Sequence, residues 1–374
     1  MTAKLDQVTI KGFKSIRSLE NFKLDDLNVM IGANGAGKSN FIDFFRLLRA
    51  MMEVPLPSLQ NSSLQAFVED EGGSDGFLFN GPKRTKQIQG ELFFGDNGYR
   101  FALAPTAEET FLFNEEARYY DKGLSGWWEL GNGHKKPKLL KERHDQGAWR
   151  GRNVASYIYD AISAWKIYHF HDTSKLAPMR RFEIIEDNEY LRFDASNIAP
   201  FLFYLKEHED SAYRQIVETI RLVTPFFDDF LFKPTKKERI RLLWRQKGSD
   251  YPLKPYHLSD GTIRFICLVT ALLQPRHPST LIIDEPELGL HPHAIEVLSE
   301  LIQISSQNTQ IILSTQSPSL VDCFAPEEII VVTREKGASC FHRLKKKELA
   351  SWLEEYSLGD LWRKNVFTGV PVHE

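Results

Sequence analysis

The sequence predicts a mixed α/β fold in which the two ends of the chain meet in one lobe. Three observations predict it: a glycine-rich loop between an apolar strand and an amphipathic helix near the start, a strand-helix alternation from His257 onward, and short alternating strands between them. Three segments follow. Residues 1–121 are expected to form the first part of the main lobe with a β-rich insertion, 122–256 an exposed basic loop and a helical lobe, and 257–374 the remainder of the main lobe.

Taken in order, Gln7 to Ile10 reads as a short strand, and after GFKSI comes a second, apolar strand from Leu27 to Ile31. Ser39 to Met51 carries Phe41, Phe44, Phe45 and Leu48 at helical spacing, so one face of that helix should be buried. From Gln89 to about Tyr120 the pattern alternates, and ELFF and YRFAL flank Gly95, Asp96, Asn97 and Gly98, a hairpin turn. The stretch from Lys122 to Arg152, centred on GNGHKKPKLLKERH, is rich in Gly and Lys and is predicted to be an exposed loop. Ser156 to Trp165, and then Tyr213, Ile216, Val217 and Ile220, read as amphipathic helices of one second subdomain, which Pro225 closes. Ile240, Leu242 and Trp244 alternate with Arg239, Arg241 and Arg245, predicting a half-exposed strand before Gly248. The last third should run as a helix to Leu273, a buried strand Leu281 to Ile283, a helix Ala294 to Ile304, and strands Ile311 to Ser314 and Ile329 to Val332. There is no internal repeat and no sustained heptad run.

With 374 residues, 42% hydrophobic and 26% charged, the chain has the composition of a folded globular protein rather than of a disordered or collagen-like one. No apolar run approaches the ~20 residues that span a bilayer, and MTAKLDQ lacks an apolar signal core, so a cytoplasmic location is expected. Cys267, Cys323 and Cys340 are too few and too scattered for a disulfide framework or a zinc ribbon. A formal charge of −3 means that any nucleic-acid binding must come from local patches or from a partner.

Gly32, Ala33, Asn34, Gly35, Ala36, Gly37, Lys38 and Ser39 fit G-x-x-x-x-G-K-[ST], with Asn40 next in the chain, directly after a strand and directly before a helix. Glycines let such a loop wrap phosphates so that backbone N–H groups and the helix N-terminus face the anion, while Lys38 supplies a point charge and Ser39 a magnesium-ligating hydroxyl. Leu281 to Pro286 is an apolar strand ending in two carboxylates. Asp284 at its tip can hold Mg²⁺, and Glu285 can accept a proton from the water that attacks a γ-phosphate. Lys38 and Asp284 lie 246 positions apart, which requires a large insertion between them. Ser259 opens another helix 25 residues before Asp284, in Leu258, Ser259, Asp260, Gly261, Thr262, a serine and a glycine at a helix N-terminus.

GFKSI, GANGAGKSN, LSDGTIRF, LIIDEPELGLHP and IILSTQSPSL together resemble the ABC-type ATPases of the SMC, RecF and OLD group, above all its compact bacterial AAA-family members. The resemblance covers essentially the whole chain. It implies a P-loop ABC-type ATPase head with a β-rich insertion and a helical lobe, using ATP and Mg²⁺, in which a homodimer or higher oligomer closes around ATP. Ser259, Asp260 and Gly261 would then meet the nucleotide held at Lys38 of a second subunit, and Gly289, Leu290 and His291 would occupy the D-loop. Gln316 stands where many such ATPases carry a switch histidine, and a glutamine cannot titrate near neutrality. Gln87 and Gln89, or His171 and Asp172 in YHFHDTS, are alternatives for the Q-loop. His169 and His171 lack spaced acidic or cysteine companions in the sequence, so they make no metal motif by themselves.

Basic residues cluster at Lys135, Lys136, Lys138, Lys141 and Arg143, at Lys233, Lys236, Lys237, Arg239 and Arg241, and at Lys345 to Lys347. These are solvated faces or, as in heads of this group, a groove for DNA phosphates. Trp127, Trp128 and Trp149 beside the first cluster could stack on bases or anchor the loop. No long coiled coil fits, and fewer than thirty residues follow Lys347, too few for a Toprim domain. The expected role is therefore an ATP-driven switch or motor in DNA repair or anti-phage defence, acting on a separate effector such as a nuclease. A membrane-transporter motor and a nucleotide-dependent scaffold with negligible turnover are the alternatives.

Overall fold

The computed structural model describes residues 4–53, 63–121, 126–144 and 153–367. The chain opens with a hairpin, β1 (Gln7–Phe13) and β2 (Ile16–Lys23), followed by β3 (Leu27–Ile31), α1 (Lys38–Met52) and α2 (Ser63–Asp70). Next come β4 (Ile88–Phe94), β5 (Asn97–Pro105), β6 (Phe111–Tyr120), β7 (Gly126–Glu129), α3 (Leu139–Glu142), α4 (Val154–Ser163), β8 (Lys166–Tyr168) and β9 (Glu183–Ile184). The middle holds α5 (Ile198–His208), α6 (Asp210–Val223), β10 (Phe227–Leu231), β11 (Arg239–Ile240) and β12 (Leu243–Gln246). The last third is α7 (Asp260–Leu272), β13 (Thr280–Asp284), α8 (Pro292–Ser306), β14 (Gln310–Thr315), α9 (Pro318–Val321), β15 (Ile329–Glu335), β16 (Ala338–Arg343), α10 (Lys346–Leu349) and α11 (Leu358–Arg363).

Two six-stranded sheets organise these elements. The central one has the order β16-β15-β3-β14-β13-β8, parallel except for the edge hairpin β15-β16. Its strands are apolar on both faces because both are covered. Val29, Ile31, Leu281, Ile283, Ile311 and Leu313 face one core with α5 to α8, whereas Met30, Ile282, Ile312, Ile330 and Val332 face the other with α1 and α4. The second sheet, antiparallel with the order β2-β1-β4-β5-β6-β7, closes that other core from outside. Phe41, Phe44 and Phe45 of α1 fill the space between the sheets; Phe45 meets Trp165 with ring centroids 5.1 Å apart, and Phe44 stacks on Phe101 at 6.2 Å. Burying rings of this size is worth about 1.5–3 kcal/mol each.

Three expectations are corrected. The stretch Lys122 to Arg152 is not one exposed loop: Asn132, Gly133, Lys135 and Lys136 are exposed between elements, but β7 extends the antiparallel sheet, and Glu116 of β6, fully buried, accepts from Tyr99 Oη at 3.0 Å, Lys138 N at 2.7 Å and Leu139 N at 3.0 Å, with His134 Nε2 at 2.7 Å. A buried carboxylate so bonded caps α3 and fixes the segment. Second, α4 does not join α6 in one subdomain. Ala155, Ile158, Ala161 and Ile162 pack in the core that holds the aromatic face of α1, while Tyr213, Ile216, Val217 and Ile220 of α6 lie in the opposite core. Third, the single strand expected through Ile240 and Trp244 is two: β11 pairs with β9 and β12 with β10. Among the strands expected nowhere, β2 supplies one edge of the second sheet and β16 one edge of the central sheet.

Candidate functional site

The phosphate loop joins β3 to α1 and is braced from behind. Ser339 on β16 donates from Oγ to Ala36 O at 2.5 Å and lies 2.6 Å from Ser15 Oγ, which in turn accepts from Asn40 Nδ2 at 2.6 Å. Thus the Ser of GFKSI is a prop for the loop, and Asn40 faces that prop. Gly37 has φ 118°, and a Cβ there would run into Ser339 Oγ, so only glycine fits. Lys38 is 6% exposed, and its ammonium donates to Gly32 O at 2.6 Å and Ala33 O at 3.2 Å. Burial holds this ammonium below its ordinary value, opposed by the nearby charges of Glu285, Asp284 and Glu287. Ser39 stands exposed at the start of α1.

β13 and β14 are neighbours in register, Asp284 opposite Ser314, so the two carboxylates and the switch segment meet at one sheet edge. Asp284 accepts from Ser314 Oγ. Glu285 adopts φ 46°, a left-handed conformation that costs a non-glycine residue about 1–3 kcal/mol, with its N–H held by Ser314 O at 3.0 Å. Turned this way, its carboxylate accepts from Gln316 Nε2. Glu287 was not singled out in the sequence, yet it ties this region together: 7% exposed, its Oε1 accepts from Thr315 Oγ1 at 2.6 Å and Gln316 N at 2.9 Å. Burial raises its carboxyl above the usual range, only partly offset by those bonds.

The signature segment is built as expected at its N-cap: Ser259 Oγ accepts from Thr262 N at 3.0 Å and is exposed. Asp260 pairs with Arg180 at 2.8 Å, and Arg180, itself 3% exposed, also donates to Leu258 O at 3.2 Å and to Pro255 O. A Cβ at Gly261 would collide with Gly289 O, so the signature and the D-loop touch backbone to backbone. Leu290 N donates to Glu287 O at 3.0 Å, and His291 caps α8 by accepting from His293 N at 3.3 Å. Arg264 of α7, also missed, donates to Phe170 O at 2.9 Å, His171 O at 3.1 Å and Leu288 O. It lies in the run Ile263 to Val269, otherwise apolar, and an arginine flanked that way signals burial with bonded partners.

Of the two Q-loop alternatives, the structure brings only one to the site. β8 is the parallel neighbour of β13, so the chain leaving it carries His171 to Asp284, whose carbonyl lies 3.2 Å from His171 Nε2. Gln87 and Gln89 sit instead at the antiparallel sheet, where Gln87 accepts from Asn114 at 2.8 Å and Gln89 pairs with Lys11 and Ala102. Asp172 turns away to accept from Ser174 N at 3.0 Å. His169 is pulled below the usual imidazole value by burial and by His171, against the opposing pull of Asp284.

Several members of the basic clusters have local partners. Lys135 pairs with exposed Glu108 at 3.1 Å, Arg143 covers the Tyr159 ring at 4.1 Å, and Lys136, Lys138 and Lys141 share that segment beside β6. Trp127 packs on Phe93 and Tyr119 under Arg100, and Trp128 lies under Arg118, which is the anchoring role; Trp149 falls outside the described residues. Arg241 covers Phe182, and Lys345 pairs with Glu348. All three cysteines are free.

A phosphate loop, paired carboxylates, a signature helix and a switch strand on one parallel sheet define a P-loop ATPase head of the ABC and SMC-like kind. The chain belongs to the family described as "AAA domain, putative AbiEii toxin, Type IV TA system", whose model matches residues 27–322. It is 24% identical over 195 residues to a "Putative ABC transporter ATP-binding protein" of Methanosarcina acetivorans; the match spans 48% of this chain and 64% of that relative. In fold it is similar to an Smc head bound to the C-terminal winged-helix domain of ScpA, with TM-score 0.57 and 17% identity over 92% of this chain and 99% of that one. It is also similar to an Smc head with an extended coiled coil, bound to the C-terminal domain of ScpA, from Pyrococcus furiosus, with TM-score 0.53 and 15% identity over 95% and 99%. Among the described residues no helix is long and apolar enough to cross a membrane.

Proposed function

We propose that this protein binds ATP between two copies of itself and hydrolyses it, and that closing and opening of the dimer switches a separate effector in DNA repair or anti-phage defence. The observation that carries the reading is Glu285, held in a left-handed turn against Gln316 and close enough to Lys38 for their charges to interact. Glu285 takes a proton from the attacking water, Gln316 orients that water, and Lys38 stabilises the charge on the transferred phosphoryl group. Ser39 and Asp284 are hard oxygen donors suited to Mg²⁺, which when bound with ATP would neutralise phosphate charge. Exposed Ser259 completes the site of the second copy.

ATP turnover by the wild type, Lys38→Ala and Glu285→Gln tests this, with light scattering of Glu285→Gln in ATP. Glu285→Gln should lose about 10²–10⁴-fold in rate and accumulate as a dimer. Equal rates for wild type and Glu285→Gln would remove Glu285 as the base, and a persistent monomer would remove the shared site. Direct DNA binding through the Lys135, Lys136, Lys138 and Lys141 patch requires an affinity that falls with salt and with charge removal there. A second reading, the motor of a membrane transporter with its own permease subunit, is favoured by the name of the Methanosarcina relative. Negligible turnover by the wild type would leave the scaffold reading.

A further inference from the structure

The histidines of YHFHDTS have no companion ligand near them in the sequence, but the fold supplies one. β8 and β13 run parallel with Tyr168 opposite Ile283, so one step further along both strands His169 comes level with Asp284. His171, two residues on, returns to the same side, and the His169 and His171 rings lie 3.8 Å apart between centroids. One ligand atom from each of His169, His171 and Asp284 falls within 4.8 Å of the other two. Tetrahedral coordination with bonds of about 2.1 Å puts ligand atoms about 3.4 Å apart, so side-chain rotations that swing the two rings apart and draw the three ligand atoms together would close the set.

We propose that His169, His171 and Asp284 form a binding site for a borderline divalent cation of the zinc and cobalt class, filled without nucleotide and distinct in ligand chemistry from a hard-oxygen Mg²⁺ site. Two imidazoles and one carboxylate are the donor set such ions prefer, and they leave a coordination position open. The ligand segment is held by its backbone rather than by its rings. His169 N donates to Phe193 O at 2.9 Å, and Arg264 holds the carbonyls of Phe170 and His171 at 2.9 and 3.1 Å. The Asp284 carbonyl next to His171 Nε2 selects the tautomer with the lone pair on Nδ1, the kind of outer hydrogen bond that orients a ligating imidazole. The positive charge facing His169 from α1, Arg46, is compensated by Asp43 and Glu71, each at 3.1 Å. Because Asp284 is shared, an ion held here competes with Mg²⁺ for that carboxylate.

The test is titration of the full chain with Co²⁺ in the absence of nucleotide, read by its d–d absorption bands, with calorimetry using Zn²⁺. One equivalent should bind. His169→Ala and His171→Ala should each weaken binding at least ~10-fold in chains whose fold is checked by circular dichroism, whereas Lys38→Ala should keep it even where it abolishes ATP binding. Lack of stoichiometric uptake by the wild type, or uptake unchanged in a folded His169→Ala/His171→Ala chain, would overturn the proposal. Loss of the metal in Lys38→Ala would do so as well, by assigning the ion to the phosphate loop. No outcome depends on hydrolysis, so a chain that binds the metal and turns over no ATP would sink the function above and leave this site standing.

Discussion

The phosphate loop and the signature segment are both anion-ready helix N-termini on the same chain, but they are finished to different degrees. At the loop, Ser15 and Ser339 brace Gly37 and Ala36 from behind, and the Lys38 ammonium is buried against the Gly32 and Ala33 carbonyls. At the signature, everything behind Ser259 is fixed by Arg180, Arg264 and the Gly261–Gly289 contact, while Ser259 itself is exposed and caps only its own helix. One half encloses its charge; the other holds a hydroxyl rigidly towards solvent. A rigid, outward-facing cap gains nothing for the isolated subunit beyond the cap, which is why we read it as meant for a second copy.

The comparison breaks first at Gly37. Gly37→Ala forces a side chain into φ 118° and into Ser339 Oγ, at about 1–3 kcal/mol for the backbone and about 1–3 kcal/mol for overpacking. Denaturant unfolding should show that loss, and calorimetry should show ATP binding abolished. Adding Ser339→Ala should recover only part of the packing loss, because Ser15 Oγ at 2.8 Å and Ser339 Cβ at 2.9 Å still crowd the added methyl, so full recovery by the double variant would mean that neither the left-handed backbone nor this crowding matters.

Ser259 sharpens the comparison with a smaller effect. Ser259→Ala should cost about 1 kcal/mol as a lost N-cap, and Ser259→Asn should restore it. If the hydroxyl also serves the partner's nucleotide, Asn restores stability but not turnover, with kcat reduced and ATP affinity of the monomer unchanged. Recovery of both in Ser259→Asn would reduce Ser259 to a cap.

What could be read from the sequence followed the range of each interaction. The phosphate loop, the acidic strand end at Asp284 and Glu285, and strands β3, β13, β14 and β15 were legible because their signals are local: glycine spacing, an apolar run, a carboxylate at its end. The position of α4 was not, since its apolar face suits either core and only the three-dimensional fit to Phe45 and Trp165 decides. Glu116, Arg180, Arg264 and Glu287 were missed for the same physical reason. Charged residues read as surface until their partners, brought from 7 to 94 positions away, are known. His169 and His171 gained an acidic companion, Asp284, in the same way.

The smallest predicted effect concerns Glu287, which holds the switch strand to the carboxylate pair. Its folded carboxyl titrates above the ordinary value of 4.5 because it is buried, and its Oε2 has no hydrogen-bond partner among the described residues. The folded state therefore binds this proton more tightly than the unfolded chain does. Stability from this group is fully present below pH 4.5 and is lost as pH rises through the raised folded value, with a limiting slope of about 1.4 kcal/mol per pH unit. Glu287→Gln keeps an acceptor for Thr315 Oγ1 and Gln316 N and removes the titration, so wild type minus variant should become steadily less favourable to the wild type as pH increases across that window. Unfolding midpoints of the two proteins from pH 4 to 8 measure this difference. A pH-independent difference would mean that Glu287 is ionised in the folded state at no cost, and that its two bonds to Thr315 and Gln316 fully compensate its burial.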